Sequence, residues 1–224
     1  MREEIIGNAR LYLGDARDLI GELMGVTISD PPYGNGTVLG MGGGSKGDGG
    51  MWAGVAIPHD NDLIVRDQVL SALDQPFAIF AAINKPRPAA TKITLIWDKG
   101  EHVGAGDLSL PWKPNAELIH VGGMGWSGSH RGSSILRFNA VAGCVGNRND
   151  GKRAHPFEKP LDLMRHLVHR APPLTIVDPF MGSGTTGVAA MMEGRPFVGV
   201  ECNVDWFDAA CKRIEDAQRQ GSML

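Results

Sequence analysis

The chain has 224 residues, 42% of them hydrophobic, and a formal net charge of −3. This length suits one well-packed domain and is too short for two large ones. The net charge provides no general attraction to nucleic acid, so binding to DNA would need a local basic patch. The sequence shows neither the long apolar run of a transmembrane helix nor a signal-peptide pattern, so we expect no membrane partner. Three cysteines without paired metal-ligand spacing predict free thiols in a reducing cytoplasm and no metal site; they are Cys144, Cys202 and Cys211.

The first two predicted strands are each followed by an aspartate. Residues 9–14 have a strand pattern and lead to Asp15. The β-branched run Val26–Ser29 leads to Asp30. A short helix over residues 18–24 would join the two strands. Asp15 could cap that helix or face a ligand at the edge of the sheet, and the sequence leaves both interpretations open.

The second strand is followed directly by a carboxylate, two prolines and an aromatic ring, in the turn Asp30, Pro31, Pro32 and Tyr33. The prolines end the strand sharply, and ligands of open α/β sheets bind at the carboxyl ends of strands. Aspartate and proline are also common in ordinary turns, but no turn type requires the tyrosine. This turn is therefore the first candidate site.

The middle of the chain combines a glycine-rich segment with one helix and three strands. Nine of the seventeen residues 34–50 are glycine, which predicts a flexible loop, either an idle linker or a mobile lid over the turn. Residues 60–73 have helix spacing. Strand-like runs follow at 77–83, 92–97 and 116–121. The last two have no clear helix between them, which predicts an antiparallel hairpin at the sheet edge.

A polar, basic region follows, in which residues 122–154 show no strong period. Over residues 130–170 eight basic residues stand against three acidic ones, a net charge of +5. Such a stretch is either a solvated surface or a set of phosphate contacts, which depend on charge rather than on base sequence. The candidate phosphate-binding residues are Arg131, Arg137, Arg148, Lys152 and Arg153.

The last third of the chain has the order helix, strand, glycine turn, helix, strand, acid, helix. Residues 158–170 have an apolar helix face, and residues 174–177 form the next predicted strand. After the glycine turn and its helix, the strand at 197–200 ends at Glu201. An amphipathic helix over residues 204–218 closes the chain. Strand, glycine turn, helix, strand and acid together are the layout of a nucleoside-binding unit.

The glycine turn itself satisfies G-x-G-x-x-G, with Gly182, Gly184 and Gly187 at the three glycine positions. Asp178 comes just before the glycines, where a carboxylate would repel a pyrophosphate. This position favours a cationic ligand such as S-adenosylmethionine over NAD. A nicotinamide-dependent dehydrogenase is the competing interpretation, and it leaves the turn at residues 30–33 unexplained.

Together these motifs resemble those of the β class of amino-group DNA methyltransferases. In that family the catalytic Asp-Pro-Pro-Tyr motif comes first and the cofactor motif Asp-Pro-Phe-x-Gly-Ser-Gly-Thr-Thr comes late, as residues 30–33 and 178–186 do here. Residues 155–161, His-Pro-Phe-Glu-Lys-Pro-Leu, are similar to a third family motif. The resemblance covers nearly the whole chain. It implies a single domain with a circularly permuted, Rossmann-like class I methyltransferase fold, an α/β structure whose mostly parallel seven-stranded sheet has an antiparallel hairpin edge.

The resemblance also implies residue roles. Asp30 and the carbonyl group of Pro31 would hold the amino group of a flipped-out base in DNA, and Tyr33 would stack on it. The cofactor would be S-adenosylmethionine. Its implied binding residues are Asp15, Lys159, Pro160, Asp178, Pro179, Phe180, Gly182, Ser183, Gly184, Thr185, Thr186, Glu201 and Cys202.

The expected target is N6 of adenine. Asp at the first motif position, here Asp30, is usual for adenine enzymes of this class, whereas Ser is commoner among cytosine-N4 enzymes, which remain the alternative. The region at 122–154 is short for a target-recognition insertion, which favours a short or relaxed DNA target. A small recognition region also suggests a homodimer.

Overall fold

The computed structural model describes residues 1–36, 56–101, 109–128, 131–140 and 158–221. Within these residues the chain forms nine strands, four α-helices and one 3-10 helix. The strands are β1 (Arg2–Ile6), β2 (Ala9–Leu13), β3 (Val26–Ser29), β4 (Phe77–Ala81), β5 (Thr91–Asp98), β6 (Ala116–Gly122), β7 (Ile135–Arg137), β8 (Ile176–Asp178) and β9 (Phe197–Glu201). The helices are α1 (Ile64–Leu73), α2 (Leu161–Arg170), α3 (Thr185–Met192) and α4 (Val204–Gly221), and the 3-10 helix is Ala16–Glu22.

The strands form one sheet in the order β1-β2-β9-β8-β3-β4-β6-β5-β7. The five central strands from β2 to β4 are parallel. Strands β3, β4 and β8 are buried along their whole length, as expected for parallel strands covered on both faces. The predicted α/β architecture with a mostly parallel sheet is therefore confirmed.

The antiparallel pairs lie toward the two edges of the sheet. Strand β6 pairs antiparallel with both β4 and β5, which confirms the predicted hairpin. The prediction of seven strands was wrong, because β1 and β7 were not predicted. Strand β1 pairs antiparallel with β2 alone and has four exposed residues out of five, so no apolar alternation marks it. Strand β7 has three residues and pairs parallel with β5, inside the polar region that shows no period.

The helices cover the two faces of the sheet. The first face packs against α2, α3 and α4 in a core that includes Leu163, Ala189 and Phe207. The opposite face packs against α1 and the 3-10 helix, for example through Val69 and Leu19. The split follows from the alternation of side chains along each strand. Cys202 and Cys211 are free thiols, as predicted, and Cys144 lies outside the described residues.

Three helices begin at other residues than the sequence indicated. The helix expected from residue 60 starts at Ile64, whose N–H donates to Asp62 Oδ1 at 2.8 Å. The helix expected from residue 158 starts at Leu161, directly after Pro160, which has no N–H to give to a preceding turn. The short helix expected at 18–24 is the 3-10 helix Ala16–Glu22.

Two of the three motif glycines allow α3 to approach its neighbours closely. Gly184 has φ +79°, and a Cβ atom there would lie 2.9 Å from Ala210 Cβ. A Cβ atom on Gly187 would lie 2.5 Å from Ile214 Cδ1 and 2.8 Å from the ring of Phe197. Only glycine fits such positions without displacement of the neighbours. No helix in the described part of the chain is both long and apolar enough to span a bilayer.

Candidate active site

The two candidate turns lie side by side. Strands β3 and β8 are parallel neighbours, so the turns that follow them meet at the same edge of the sheet. Ser29 Oγ donates to Asp178 Oδ1 at 2.5 Å, although the two residues are 149 positions apart in sequence. One cavity is lined by Tyr33, Gly182 and Glu201, among others. The structure therefore brings the Asp-Pro-Pro-Tyr turn and the glycine turn to a shared cleft.

Both carboxylate oxygens of Asp30 have partners. Lys159 Nζ lies 2.5 Å from Oδ2, and the Tyr33 hydroxyl donates to Oδ1 at 2.6 Å. Burial raises the pKa of Asp30, and the carboxylate of Glu117 adds to the effect while Lys159 opposes it. Lys159, expected at the cofactor, thus makes its contacts with the carboxylate of the Asp-Pro-Pro-Tyr turn.

Glu117, at the start of β6, completes this charged cluster. Its Oε2 atom lies 3.4 Å from Lys159 Nζ and 3.4 Å from the Tyr33 hydroxyl, and its Oε1 atom lies 2.5 Å from Lys99 Nζ. Burial opposes ionisation of Glu117, but the two lysines outweigh it and lower its pKa. Sequence reasoning assigned no role in the site to Glu117 or Lys99. The available signal was the hairpin itself, because its pairing places Trp97, two residues before Lys99, opposite Glu117.

The side chain of Lys159 is 9% exposed and is surrounded by aromatic rings. Its Nζ atom lies 5.1 Å from the ring centre of Phe80, 5.8 Å from that of Tyr33 and 5.9 Å from that of Trp97. Burial lowers the pKa of Lys159, but Asp30 and Glu117 raise it by more, so the net shift is upward. The lysine is a cation held by two carboxylates and the negative faces of aromatic rings.

The backbone after Tyr33 is anchored by residues that follow the glycine-rich segment. Asp60, 3% exposed, accepts a hydrogen bond from the N–H of Gly34 at 2.8 Å. Lys85 Nζ donates to the carbonyl group of Gly34 at 2.9 Å. These contacts hold the first residues of that segment against the body of the protein. Of the predicted lid at 34–50, residues 37–50 lie outside the described part of the chain, so that prediction stays untested.

Asp178 is buried under the glycine turn and does not line the shared cleft. Oδ1 accepts from Ser29 Oγ and from the N–H of Phe180, and Oδ2 accepts from Thr186 Oγ at 2.5 Å. Burial raises the pKa of Asp178 to about 6, against the effect of these hydrogen bonds. The argument that this acid attracts a cationic ligand was based on charge alone. In the structure its hydrogen bonds organise the turn, and it lines a smaller cavity beside the cleft.

Glu201 faces the cleft from the end of β9. Its Oε2 atom accepts from the N–H of Gly182 at 2.9 Å and its Oε1 atom from the N–H of Asn203 at 2.8 Å. Cys202 Sγ also donates to Oε1, at 3.6 Å. Burial raises the pKa of Glu201. Burial also raises the pKa of Cys202, to about 12. Among the described residues no cation pairs with Glu201, so this acid presents carboxylate oxygens to the cleft without a counter-charge.

Asp15 caps the 3-10 helix, which is one of the two roles that the sequence left open, and it also lines the shared cleft. It is the N-cap of the 3-10 helix, where its Oδ1 atom accepts from the N–H of Arg17 at 2.9 Å. It also lines the shared cleft, where His59 Nε2 lies 3.5 Å from Oδ2. The side chain of Arg17 holds the pKa of Asp15 below its usual value.

Arg213 connects α4 to the glycine turn. Its guanidinium donates to the carbonyl oxygen and the hydroxyl of Ser183, both at 2.7 Å, and to Glu158 Oε1 at 2.6 Å. Glu158 begins the segment that carries Lys159. This arginine, which sequence reasoning also missed, therefore ties the glycine turn to the chain that supplies the lysine at Asp30.

The predicted cofactor-binding and DNA-binding residues fall into four groups. Seven of the predicted cofactor residues line the shared cleft: Asp15, Lys159, Pro179, Phe180, Gly182, Glu201 and Cys202. Six do not line it. Four of these line a smaller adjacent cavity, namely Asp178, Ser183, Thr185 and Thr186, and the other two are Pro160 and Gly184. The predicted DNA contacts Arg131 and Arg137 are exposed and lie outside the cleft. Outside the described residues lie Arg148, Lys152 and Arg153.

Comparisons with known proteins point to one family. The family model of N6/N4 DNA methylases matches residues 77–212, more than half of the chain. Putative methylase YubD of Escherichia coli K12 is 33% identical over 91 residues, which are 40% of each protein. Type II methyltransferase M.HinfI of Haemophilus influenzae is 36% identical over 69 residues, 30% of this chain and 19% of the relative. The alignments thus span less than half of either relative.

Solved structures show the same fold at low sequence identity. The M1.HpyAVI–SAM complex superposes with a TM-score of 0.65 at 21% identity, covering 92% of this chain and 98% of that one. The cytosine-N4-specific PvuII DNA methyltransferase gives a TM-score of 0.64 at 17% identity, covering 96% and 93%. The matched segment contains the glycine turn, Glu117 and Lys159, and the fold agrees over nearly the whole chain. The chain belongs to the N6/N4 DNA methylase family.

Proposed function

We propose that this protein is an S-adenosylmethionine-dependent DNA methyltransferase that methylates the exocyclic amino group of adenine. The observation that carries the proposal is the shared cleft, which is lined by Asp30 and Tyr33 and also by Gly182 and Glu201; we call the first pair the acceptor side and the second pair the donor side. A methyl transfer needs donor and acceptor side by side, and near-attack geometry supplies much of its rate.

The donor side of the cleft fits the chemistry of an adenosine ligand. Glu201 offers carboxylate oxygens that can accept hydrogen bonds from ribose hydroxyls, and Asp15 lines the same cleft. Phe180 and Ile57 supply apolar surface for a base. S-adenosylmethionine bound there would supply a methyl group activated by a sulfonium. The positive φ of 50° at Gly182 keeps the backbone of the turn open for close approach of a ligand.

The acceptor side provides the groups that an amino nitrogen needs. This nitrogen is a poor nucleophile because its lone pair is delocalised into the ring of the base. Hydrogen bonds from its two N–H groups to Asp30 and to the carbonyl oxygen of Pro31 would localise the lone pair. During transfer one N–H bond breaks, and Asp30, whose pKa is raised by burial, takes that proton as a general base. Tyr33 would stack on the base, which must leave the duplex to reach the cleft.

The choice of adenine rests on Asp30 as the first residue of the motif. Cytosine-N4 transfer is the second candidate, because the fold resembles the cytosine-N4-specific PvuII enzyme about as closely as M1.HpyAVI. The same cleft chemistry serves both amino groups. The expected partner is DNA, with phosphate contacts from exposed residues such as Arg131 and Arg137. Dimerisation of the chain is proposed from the sequence alone.

The test is mass spectrometry of nucleosides from unmethylated genomic DNA incubated with the protein and S-adenosylmethionine. We expect N6-methyladenine. If N4-methylcytosine is the only methylated base found, the target is cytosine and not adenine. Calorimetric titration with S-adenosylmethionine and, separately, with NAD checks the cofactor, and tight binding of NAD alone would contradict the methyl-transfer account.

A further inference from the structure

The structure contains a conflict at Asp30 that the proposed reaction has to resolve. Lys159 occupies Oδ2, and the Tyr33 hydroxyl occupies Oδ1 at 2.6 Å. A carboxylate oxygen can accept a second hydrogen bond, but the bond from Tyr33 lowers the pKa of Asp30 and so weakens the acceptor that the amino group of a target base needs. Lys159 and the Tyr33 hydroxyl both lie 3.4 Å from a second acceptor, Glu117 Oε2, but the buried lysine is a cation held at Asp30 by its charge, whereas the hydroxyl is neutral and held more weakly. The hydroxyl of Tyr33 is therefore the group that can move.

Glu117 is that second acceptor. Its Oε2 atom already lies 3.4 Å from the Tyr33 hydroxyl, so a small rotation of the hydroxyl and ring exchanges one carboxylate for the other. Lys99 holds Oε1 at 2.5 Å, and Lys159 holds Oε2 at 3.4 Å. These two cations keep Glu117 in place and ionised, and an ionised carboxylate only accepts hydrogen bonds.

The two carboxylates of the cluster are tuned in opposite directions. The pKa of Asp30 is raised by burial, and that of Glu117 is lowered because its two lysines outweigh burial. Such a split separates the roles of two neighbouring acids. Asp30 is the one suited to take a proton, and Glu117 the one that stays charged.

We propose that Glu117 is a positioning residue for methyl transfer, which accepts the Tyr33 hydroxyl when the target amino group takes Oδ1 of Asp30. The exchange involves hydrogen bonds only, and the hydroxyl proton stays on Tyr33. Without Glu117 the hydroxyl would have to return to Asp30 and compete with the substrate, or be left buried without a partner. The inference rests on the proposed function, because it assigns Glu117 a part in that reaction.

Glu117→Gln in combination with Tyr33→Phe tests this exchange. Lys99, the closer cation, keeps the amide oxygen of the glutamine on its side, so the amide NH₂ faces Tyr33 and cannot accept. The assay is single-turnover methylation of unmethylated genomic DNA with saturating S-adenosylmethionine. We expect Glu117→Gln to slow transfer by about tenfold when residue 33 is tyrosine and by less than about threefold when it is phenylalanine. Equal losses in both backgrounds, or no loss in either, would overturn the proposal.

Two further measurements separate this role from a structural one. Tyr33→Phe alone keeps the ring and removes the competing hydroxyl, so it is the background in which the loss from Glu117→Gln is compared; a loss of about 100-fold or more in this single variant would make the hydroxyl itself catalytic and reject the exchange. Glu215→Gln, which removes a carboxylate from an exposed ion pair on α4, is the matched control. If the unsubstituted protein binds S-adenosylmethionine but methylates no DNA, the proposed function fails as well. If the enzyme is active but the losses from Glu117→Gln and Tyr33→Phe are additive, only the role of Glu117 is rejected and the proposed function stands.

Discussion

At Asp30 charged side chains contact one another directly, whereas the two acids at the glycine turn are held mainly by backbone amides and hydroxyl groups. Asp30, Glu117 and Lys159 come from three distant parts of the chain and meet within 2.5 to 3.4 Å. Asp178 and Glu201 instead accept hydrogen bonds from Phe180, Gly182 and other groups close to them in the fold. Each carboxylate on the acceptor side has a lysine, and neither of these two donor-side acids has a cation among the described residues.

This difference predicts how each side responds to substitution. A buried ion pair is costly to break because the remaining charge loses its partner. On the acceptor side, a substitution that removes one charge should therefore lower both the activity and the stability of the protein. A turn built from glycines and backbone hydrogen bonds depends on backbone conformation, so the donor side should be sensitive to added atoms rather than to lost charges.

The largest effect is expected for Asp30→Ala. It removes the acceptor for the amino group, and we expect the single-turnover rate to fall by about 100- to 10,000-fold. Calorimetry should still show S-adenosylmethionine binding, because Lys159 retains Glu117 as a partner and the donor side is unchanged. Asp18→Ala, at an exposed aspartate in the 3-10 helix, is the control. Turnover retained by Asp30→Ala would remove this residue from the chemistry.

Lys159→Met should affect both activity and stability. It leaves Asp30 and Glu117 close together without their shared cation, and we expect a loss of about 3 kcal/mol in the free energy of unfolding, measured by urea denaturation, together with slower transfer. Binding of S-adenosylmethionine should stay within about threefold if the lysine serves the acceptor side. Loss of cofactor binding with normal stability would instead place Lys159 on the donor side. Lys212→Met, on the exposed surface of α4, is the control.

Gly184→Ala tests the backbone-dependent side. The added Cβ atom combines a left-handed φ of +79° with an approach of 2.9 Å to Ala210, and we expect a loss of about 3 kcal/mol in the free energy of unfolding. Gly21→Ala is a matched control, because a Cβ atom there would have no neighbour within 4 Å. Similar stabilities for the two variants in urea denaturation would contradict the close packing of α3 on α4.

A pH dependence of stability at Asp178 is expected to be no larger than these effects. Its pKa is about 6 in the fold and 3.8 in the reference state, so its contribution to stability is complete below pH 3.8 and is lost as the pH rises through 6. The difference corresponds to about 3 kcal/mol at most. Asp178→Asn does not titrate, so its stability relative to the unsubstituted protein should rise between pH 4 and pH 7. A stability difference that stays constant over this range would contradict the shifted pKa; Asp18→Asn controls for the lost charge.

Much of the fold follows from local patterns in the sequence. The strands before Asp30 and Asp178 are short apolar runs ended by proline turns, and both lie in the parallel centre of the sheet. Strand β1 could not be predicted in this way, because its charged sequence Arg-Glu-Glu lies on an exposed edge, where β2 is its only strand partner among the described residues. Strand β7 is equally obscure, since three residues cannot establish a period.

The sequence motifs of the site could be predicted, but the contacts among its charged side chains could not. The Asp-Pro-Pro-Tyr turn and the glycine turn are contiguous in sequence and were found directly. Glu117 meets Lys159 only through the pairing of β6 with β4 and the position of the segment before α2, and no local pattern encodes that contact. Asp178 was identified from its place in the motif, but its burial under three hydrogen bonds depends on Ser29 of a neighbouring strand.

The most direct test of the shared cleft is a crystal structure of the protein with S-adenosylhomocysteine. The account predicts ribose hydroxyls at the carboxylate of Glu201 and the sulfur atom between the glycine turn and Asp30, pointing toward Tyr33. A ligand bound away from Glu201, or a sulfur atom separated from Asp30 by the body of the protein, would contradict methyl transfer at this site.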